Sequence, residues 1–396
     1  MAEASAGKGG ALPHALWALL FGNFVVGYGV SAVPGTLPEI SASLGVSISR
    51  AGQLISVSSL VVALSAPLAA ALLPGWDRRR LLALTMGWYG ALHVLCAFMP
   101  SLGLLMAVRM LAMVSPAIFT PQAAACAGLL APPALRGRAI TFVFLGFSAS
   151  AVLGMPISAF VSGTLGWRQA FALVGLCSLA NALWIWRSLP ADVRPPAMAR
   201  DAWGRVFRSP AVMSCLGVTL MFGSAQFTLY AYFAPYFKQQ VGVSAAQLSL
   251  LFMWLGVFGL AGNTLLSRRI DRIGAPRALL IALGLACVTL AAWPLGTGFA
   301  AMALVLVPWA LGYFAANSSQ QVRLAGIAPS LVSGSIALNT AAIYAGQGIG
   351  AAIGGVVIAH AGWGWLNWVA LAGMLLSMAA SAGAARLAAR QRDLRG

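Results

Sequence analysis

Long apolar runs fill this chain, and short polar gaps separate them. About 20 apolar residues span a hydrocarbon core. On that measure helices are expected at 14–37, 52–74, 81–99, 101–130, 138–163 and 169–189, and again at 211–237, 245–267, 277–296, 299–326, 330–359 and 363–386. The most polar stretch runs from Pro190 to Pro210 and carries Asp192, Arg194, Pro195, Pro196, Arg200, Asp201, Arg205 and Arg208. It reads as a linker between two sets of six. The expected architecture is an all-α membrane protein: an N-terminal six-helix bundle over 1–189, a cytoplasmic linker over 190–210, and a C-terminal six-helix bundle over 211–396. The apolar run after the small, polar first thirteen residues is too long for the core of a secretory signal, so it is read as a retained first helix.

The two sets repeat one another. Gly45-Val46-Ser47 leads into helix two and Gly242-Val243-Ser244 into helix eight, an offset of 197. Asp77-Arg78 follows helix two and Asp271-Arg272 follows helix eight, an offset of 194. Gly154 with Gly166-Trp167 matches Gly350 with Gly362-Trp363 at an offset of 196. Landmarks in one order at nearly one offset point to a duplicated six-helix unit.

Composition agrees with a lipid-facing surface. Of 396 residues, 60% are hydrophobic and 8% charged, against roughly 45–50% and about 25% in soluble domains. The net charge of +17 does not indicate nucleic acid, because the basic residues fall in the gaps between apolar runs rather than on one solvated face. With both termini inside, the inner segments hold 20 Lys and Arg and the outer ones only Arg50, Arg168 and Lys238, which is the positive-inside pattern of a multi-pass protein of a bacterial inner membrane. Cys96, Cys126, Cys177, Cys215 and Cys287 stand singly, with no CxxC, and read as small hydrophobes. No HExxH, phosphate-binding loop or paired-carboxylate signature occurs, so no cofactor, metal or enzymatic activity is implied.

Twelve helices in two repeats, with basic turns after helices two and eight, resemble the major facilitator superfamily. Asp77-Arg78-Arg79-Arg80 is similar to that family's loop motif between helices two and three but lacks its glycines; Asp271-Arg272-Ile273-Gly274-Ala275-Pro276-Arg277 keeps more of it. Leu37-Pro38-Glu39-Ile40 with Leu44-Gly45-Val46-Ser47, Arg136-Gly137-Arg138-Ala139, Gly154-Met155-Pro156 and Gly166-Trp167-Arg168 resemble the drug and sugar efflux branch that includes arabinose-efflux-like proton antiporters. Ser158 departs from a usual glycine there, and Met113 stands where many relatives carry a glycine four residues after Arg109. The resemblance implies a secondary transporter that moves a small solute by alternating access, with proton-coupled efflux as its leading mode. A facilitative uniporter or importer of the same fold, or a non-transporting sensor or scaffold, are the alternatives.

Within that frame, candidate residues follow from cost. Arg109, about nine residues or about 13 Å into helix four, is expected to face the bundle interior or a wet cavity, since a charge at that depth costs at least about 2.5–3.5 kcal/mol. Glu39 and His93 are the other proton-coupling candidates; Glu39 lies at the outer end of helix one, where an interfacial anchor is the plainer reading, and His93 and His360 also read as structural histidines. Asp77, Arg78, Asp271 and Arg272 are gating candidates, alternatively positive-inside anchors. Asn23, Tyr28, Gln122, Gln226, Tyr230, Asn317, Gln320, Asn339 and Gln347 are polar positions on apolar helices and candidates for a substrate cavity, alternatively interhelical hydrogen bonds. As a set they suit a neutral or amphiphilic solute. Gly154, Pro156 and Gly350, on the glycine-rich helices five and eleven, suit close, movable packing between halves. The expected partners are the solute, a proton and membrane lipid, with the chain acting as a monomer.

Overall fold

A computed structural model describes residues 14–73, 75–132, 135–194, 200–327 and 332–393. Lys8 and Arg395 of the charge pattern, and Pro195 and Pro196 of the linker, lie outside the described residues. Among the described residues twelve helices are long and apolar enough to cross a membrane: α1 Ala15–Leu44, α2 Ile48–Leu72, α3 Arg78–Ala97, α4 Leu102–Leu130, α5 Arg136–Leu165, α6 Trp167–Ser188, α7 Pro210–Val241, α8 Ala245–Ser267, α9 Ala275–Leu295, α10 Phe299–Ile327, α11 Gly334–His360 and α12 Trp363–Ala385. Large apolar side chains on their outer faces, such as Leu64, Leu72, Phe98 and Leu304, are exposed and meet lipid.

The duplication has a physical basis in the turns. Gly45 ends α1 at φ 61° and Gly242 ends α7 at φ 74°, a left-handed conformation that glycine adopts without penalty. In both turns the serine two residues on caps the next helix: Ser47 accepts from the Arg50 N–H and Ser244 from the Gln247 N–H. Equivalent helices then pair equivalently, α1 on α5 in one half and α7 on α11 in the other. Across the halves, α2 packs on α11 and α5 on α8.

Three elements differ from the pattern-based reading. Helix one runs on to Leu44 through Pro34 and Pro38, so Glu39 stands on a helix rather than beyond its end; a proline removes one ladder hydrogen bond without ending a helix whose neighbours hold it. α4 is interrupted at Met113. α7 breaks after Tyr230 and finishes in a π-helical turn, Phe237–Val241.

The end of the bundle where α1 begins and α12 finishes is termed here the terminal end, and the opposite one the far end. One buried apolar cluster joins the C-terminal half to the far-end residues Leu37, Ile40, Leu54, Leu105, Met155 and Trp167 of the N-terminal half. Toward the terminal end the N-terminal half has its own cluster, around Leu16, Leu19, Val62, Leu82, Met86 and Phe119. A separate small cluster, Val206, Val212, Cys215, Leu216, Leu324 and Leu338, belongs to the other half. The shared core therefore lies at the far end, while toward the terminal end each half keeps a buried cluster of its own.

Candidate functional site

The seam between the halves carries the cross-half hydrogen bonds. Ser49 Oγ donates to the Gly355 carbonyl at 2.7 Å and Ser249 Oγ to the Pro156 carbonyl at 3.2 Å. Tyr230 donates its hydroxyl to Met155 Sδ at 3.4 Å. Glu39 forms an ion pair with Lys238, joining α1 to the π-helical turn of α7, with both side chains less than a quarter exposed. All four lie in the far-end half of the bundle, where the shared core is.

Close approach near this seam requires glycine. A Cβ on Gly350 would lie 2.1 Å from the Ser224 carbonyl oxygen, and one on Gly154 would lie 3.1 Å from Tyr28 Cα. These are the repeat-equivalent positions on α11 against α7 and on α5 against α1, so close backbone packing inside each half is itself duplicated. Pro156, half-buried on α5, follows two residues later.

Arg109 is buried in the interior of the N-terminal half, 1% exposed. Its Nη2 donates to the Gly29 carbonyl of α1 at 2.7 Å, and its Nη1 lies 2.8 Å from His93 Nε2 on α3. His93 Nδ1 lies 2.8 Å from the Tyr89 carbonyl. Neither arginine nor a carbonyl exchanges roles, so His93 must donate from Nδ1 and accept at Nε2, which makes it a neutral imidazole of defined tautomer. Phe171 of α6 lies 5.4 Å from the guanidinium carbon, and Arg109 Nε has no hydrogen-bond partner. Two sequence candidates thus form one unit, and no carboxylate pairs with this charge among the described residues. Glu39, the third candidate, is elsewhere, at the far-end seam.

The turn candidates act within their own halves. Asp77 accepts from the Arg80 N–H at 2.9 Å and from the Asp192 N–H at 2.5 Å, and Arg78 donates to the Leu73 and Trp76 carbonyls. Asp271 and Arg272 are exposed at the terminal end. His360 is exposed at the far end, with Nδ1 3.0 Å from the Val356 carbonyl.

The cavity candidates divide. Several tie helices together: Asn23 donates to the Val143 carbonyl, Gln320 to the Cys215 carbonyl, and Asn339 bridges the Thr219 hydroxyl and Asn317. Tyr28 is buried, with its hydroxyl beside Ser158. Gln122 and Gln347 are half-buried and Gln226 is buried, none with a side-chain hydrogen bond among the described residues. Tyr230 belongs to an aromatic group at mid-depth, stacked on Tyr313 of α10 with ring centroids 5.0 Å apart and within 5.2 Å of Phe233. Tyr313 and Trp309 lie one helical turn apart on α10, a spacing that marks one helix face. Tyr344 of α11 packs against the cluster of the opposite half. Tyr313, Trp309, Tyr344 and the cross-half partner Lys238 were not among the candidates. The first two carry a readable i, i+4 signal; Lys238 is 199 residues from Glu39 and carries none.

Comparison with known proteins places this arrangement. The model of a family described as Major Facilitator Superfamily matches residues 19–337. The chain is 28% identical over 370 residues to the MFS-type transporter YbcL of Bacillus subtilis (strain 168), covering 92% of this chain and 94% of that protein. It is 29% identical over 351 residues to the inner membrane transport protein YdhP of Escherichia coli (strain K12), covering 87% and 89%. Among solved structures it is similar to a bacterial homologue of the human lysosomal transporter Spinster in an inward-facing, unoccupied conformation, with TM-score 0.71 and 18% identity over 96% of each chain. It is also similar to a D-xylose–proton symporter, with TM-score 0.74 and 15% identity over 92% of this chain and 96% of that one. At these identities the solved structures speak to the fold.

Proposed function

The chain belongs to the major facilitator superfamily of membrane transporters, and from that premise we propose that it exports a small neutral or amphiphilic solute by alternating access, in exchange for protons. The observation that carries this reading is the asymmetry of the seam: the halves share a core and hydrogen bonds at the far end and keep distinct buried clusters toward the terminal end. Rocking one half against the other would break the far-end set and close the terminal-end mouth, exposing a mid-depth site first to one side and then to the other. The charge pattern supports placing the terminal end in the cytoplasm of a bacterial cell, which makes this state the one that loads from inside.

Two ionic elements suit proton coupling. A proton on His93 Nε2 would expel Arg109 Nη1, because two donors cannot face each other at 2.8 Å. The groups around this pair are the Gly29 and Tyr89 carbonyls, the Tyr89 and Phe171 rings and the Cys96 thiol, with no carboxylate among the described residues to take up the released charge. At the seam, protonation of Glu39 would remove the charge that holds Lys238. Arg168, on the same depression, is engaged with Ser43 and the Met99 carbonyl.

A second reading, facilitated diffusion by the same rocking motion, is favoured by one observation: no described carboxylate lies at mid-depth in the bundle. The test is reconstitution in liposomes under an imposed pH gradient, with release and uptake of labelled sugars, nucleosides and drug-like dyes. Flux that follows the gradient and collapses with a protonophore is expected. Counterflow indifferent to pH would replace proton exchange by facilitated diffusion, and absence of flux for every compound would overturn transport in favour of a sensor or scaffold.

A further inference from the structure

One pocket at mid-depth straddles the seam. Its walls are Tyr230, Tyr313, Phe314 and Trp309 from the C-terminal half, its floor includes Gly256, and Met155 of the N-terminal half closes it. No charged residue lines it. Tyr230 and Tyr313 are stacked 29° from parallel, and Phe314 stands edge-on to Tyr313 with centroids 4.9 Å apart. These flat aromatic walls close on the Met155 side chain and leave only about 10 Å³ open, so the slot is filled by a residue of the opposite half and becomes a flat aromatic site only if that side chain withdraws.

Two polar groups belong to the residues that line this pocket, and one of them is unpaired. The Trp309 indole N–H is fully buried without a hydrogen-bond partner, and a buried donor left unpaired is a standing cost that a ligand acceptor would relieve. The Tyr230 hydroxyl pairs with that of Tyr313 and gives its own proton to the Met155 sulfur, a weak acceptor. A methionine side chain is flexible and favours aromatic surroundings, so Met155 fills the slot much as an apolar ligand would.

We propose that this slot recognises a planar, uncharged aromatic group carrying a hydrogen-bond acceptor, and that Met155 occupies it as a displaceable plug when no solute is bound. The inference rests on the transporter reading and narrows its solute class. The acceptor of the solute takes the Trp309 N–H, its ring stacks on Tyr313, and withdrawal of Met155 frees the Tyr230 hydroxyl. Because Met155 belongs to the opposite half, displacing it removes one contact of the far-end seam, so binding and opening are linked through a single side chain.

The test measures binding, which needs no flux. Purified protein in nanodiscs is titrated calorimetrically with coumarin, with naphthalene, with xylose and with tetraphenylphosphonium. Coumarin and naphthalene share a bicyclic plane, but only coumarin offers a carbonyl acceptor. Coumarin is expected to bind more tightly than naphthalene, and xylose not to bind. Trp309→Phe keeps a ring and removes the donor, and should weaken coumarin roughly three- to tenfold while leaving naphthalene unchanged. Met155→Ala should tighten both. A preference for xylose or for tetraphenylphosphonium, or coumarin affinity indifferent to both substitutions, would overturn the proposal. Flux of some other solute in liposomes alongside failed coumarin binding would remove the solute class and leave transport standing.

Discussion

Replacing Arg109 by methionine separates a working charge from a structural one. The side chain is 1% exposed and makes two short charge-assisted contacts, at 2.7 and 2.8 Å. Each such hydrogen bond is worth about 1.5–3 kcal/mol, so their loss costs about 3–6 kcal/mol. Against this, a charge held in the membrane interior costs at least about 2.5–3.5 kcal/mol, and the substitution removes that charge. The difference leaves a net destabilisation of roughly 0–3 kcal/mol, because most of what the bonds contribute offsets the cost of burying the guanidinium. Arg109→Met is therefore expected to insert and fold, with a melting temperature lowered by less than about 10 °C, while pH-driven flux in liposomes falls at least about tenfold. Arg109→Lys retains a charge but cannot span Gly29 and His93 in the same fork geometry, and should be similarly inactive. Thermal unfolding of the purified variants and initial flux rates provide the two readings. Unchanged flux in Arg109→Met would refute the assigned role, and a variant that cannot be purified folded, with either replacement, would mean that the arginine chiefly ties α1, α3 and α4 together.

Other outcomes follow from the same contacts. Glu39→Gln or Lys238→Met should shift the balance toward an open far end by about 1–3 kcal/mol, read as reagent accessibility at the seam, and the charge swap Glu39→Lys with Lys238→Glu should restore closure; a swap as open as either single variant would remove the ion pair from the account. Gly350→Ala should destabilise by at least about 1–3 kcal/mol, since its Cβ meets the Ser224 carbonyl, whereas Gly284→Ala, which points into open space, should not; equal melting temperatures would contradict the close-packing argument. Asp77→Asn keeps an oxygen to cap α3 but replaces the acceptor of the Asp192 N–H by an amide donor, and should cost about 1 kcal/mol with flux retained; abolished flux in a stable variant would assign Asp77 to gating.

The frame of this protein is legible in its sequence because lipid permits so few backbone solutions. An apolar run of sufficient length must be a helix, and the Gly-Val-Ser turns mark the same joint in both halves. Positions within the frame were less legible. Pro38 reads as a helix end, yet α1 continues past it, and this is what carries Glu39 to the α7 seam. Arg109 is conspicuous by its depth, but its partner His93 lies on another helix, and nothing in the sequence tells that imidazole from a satisfied structural one. The polar cavity candidates split between interhelical ties and free amides because an asparagine on an apolar helix looks the same in either role. The aromatic slot depends on Met155 and Tyr230 meeting across the seam, 75 residues apart, which only the packing of the halves brings about.

The central claim is that the two ends open in alternation, and paired distances measure it directly. With the native cysteines replaced by alanine, spin labels at Gly103→Cys and Thr297→Cys report the far end, and labels at Gly137→Cys and Ser267→Cys report the terminal end, all four sites being exposed. In nanodiscs, introducing Glu39→Gln is expected to lengthen the far-end distance and shorten the terminal-end distance together. Two ends that stay fixed, or that widen in concert, would contradict alternating access.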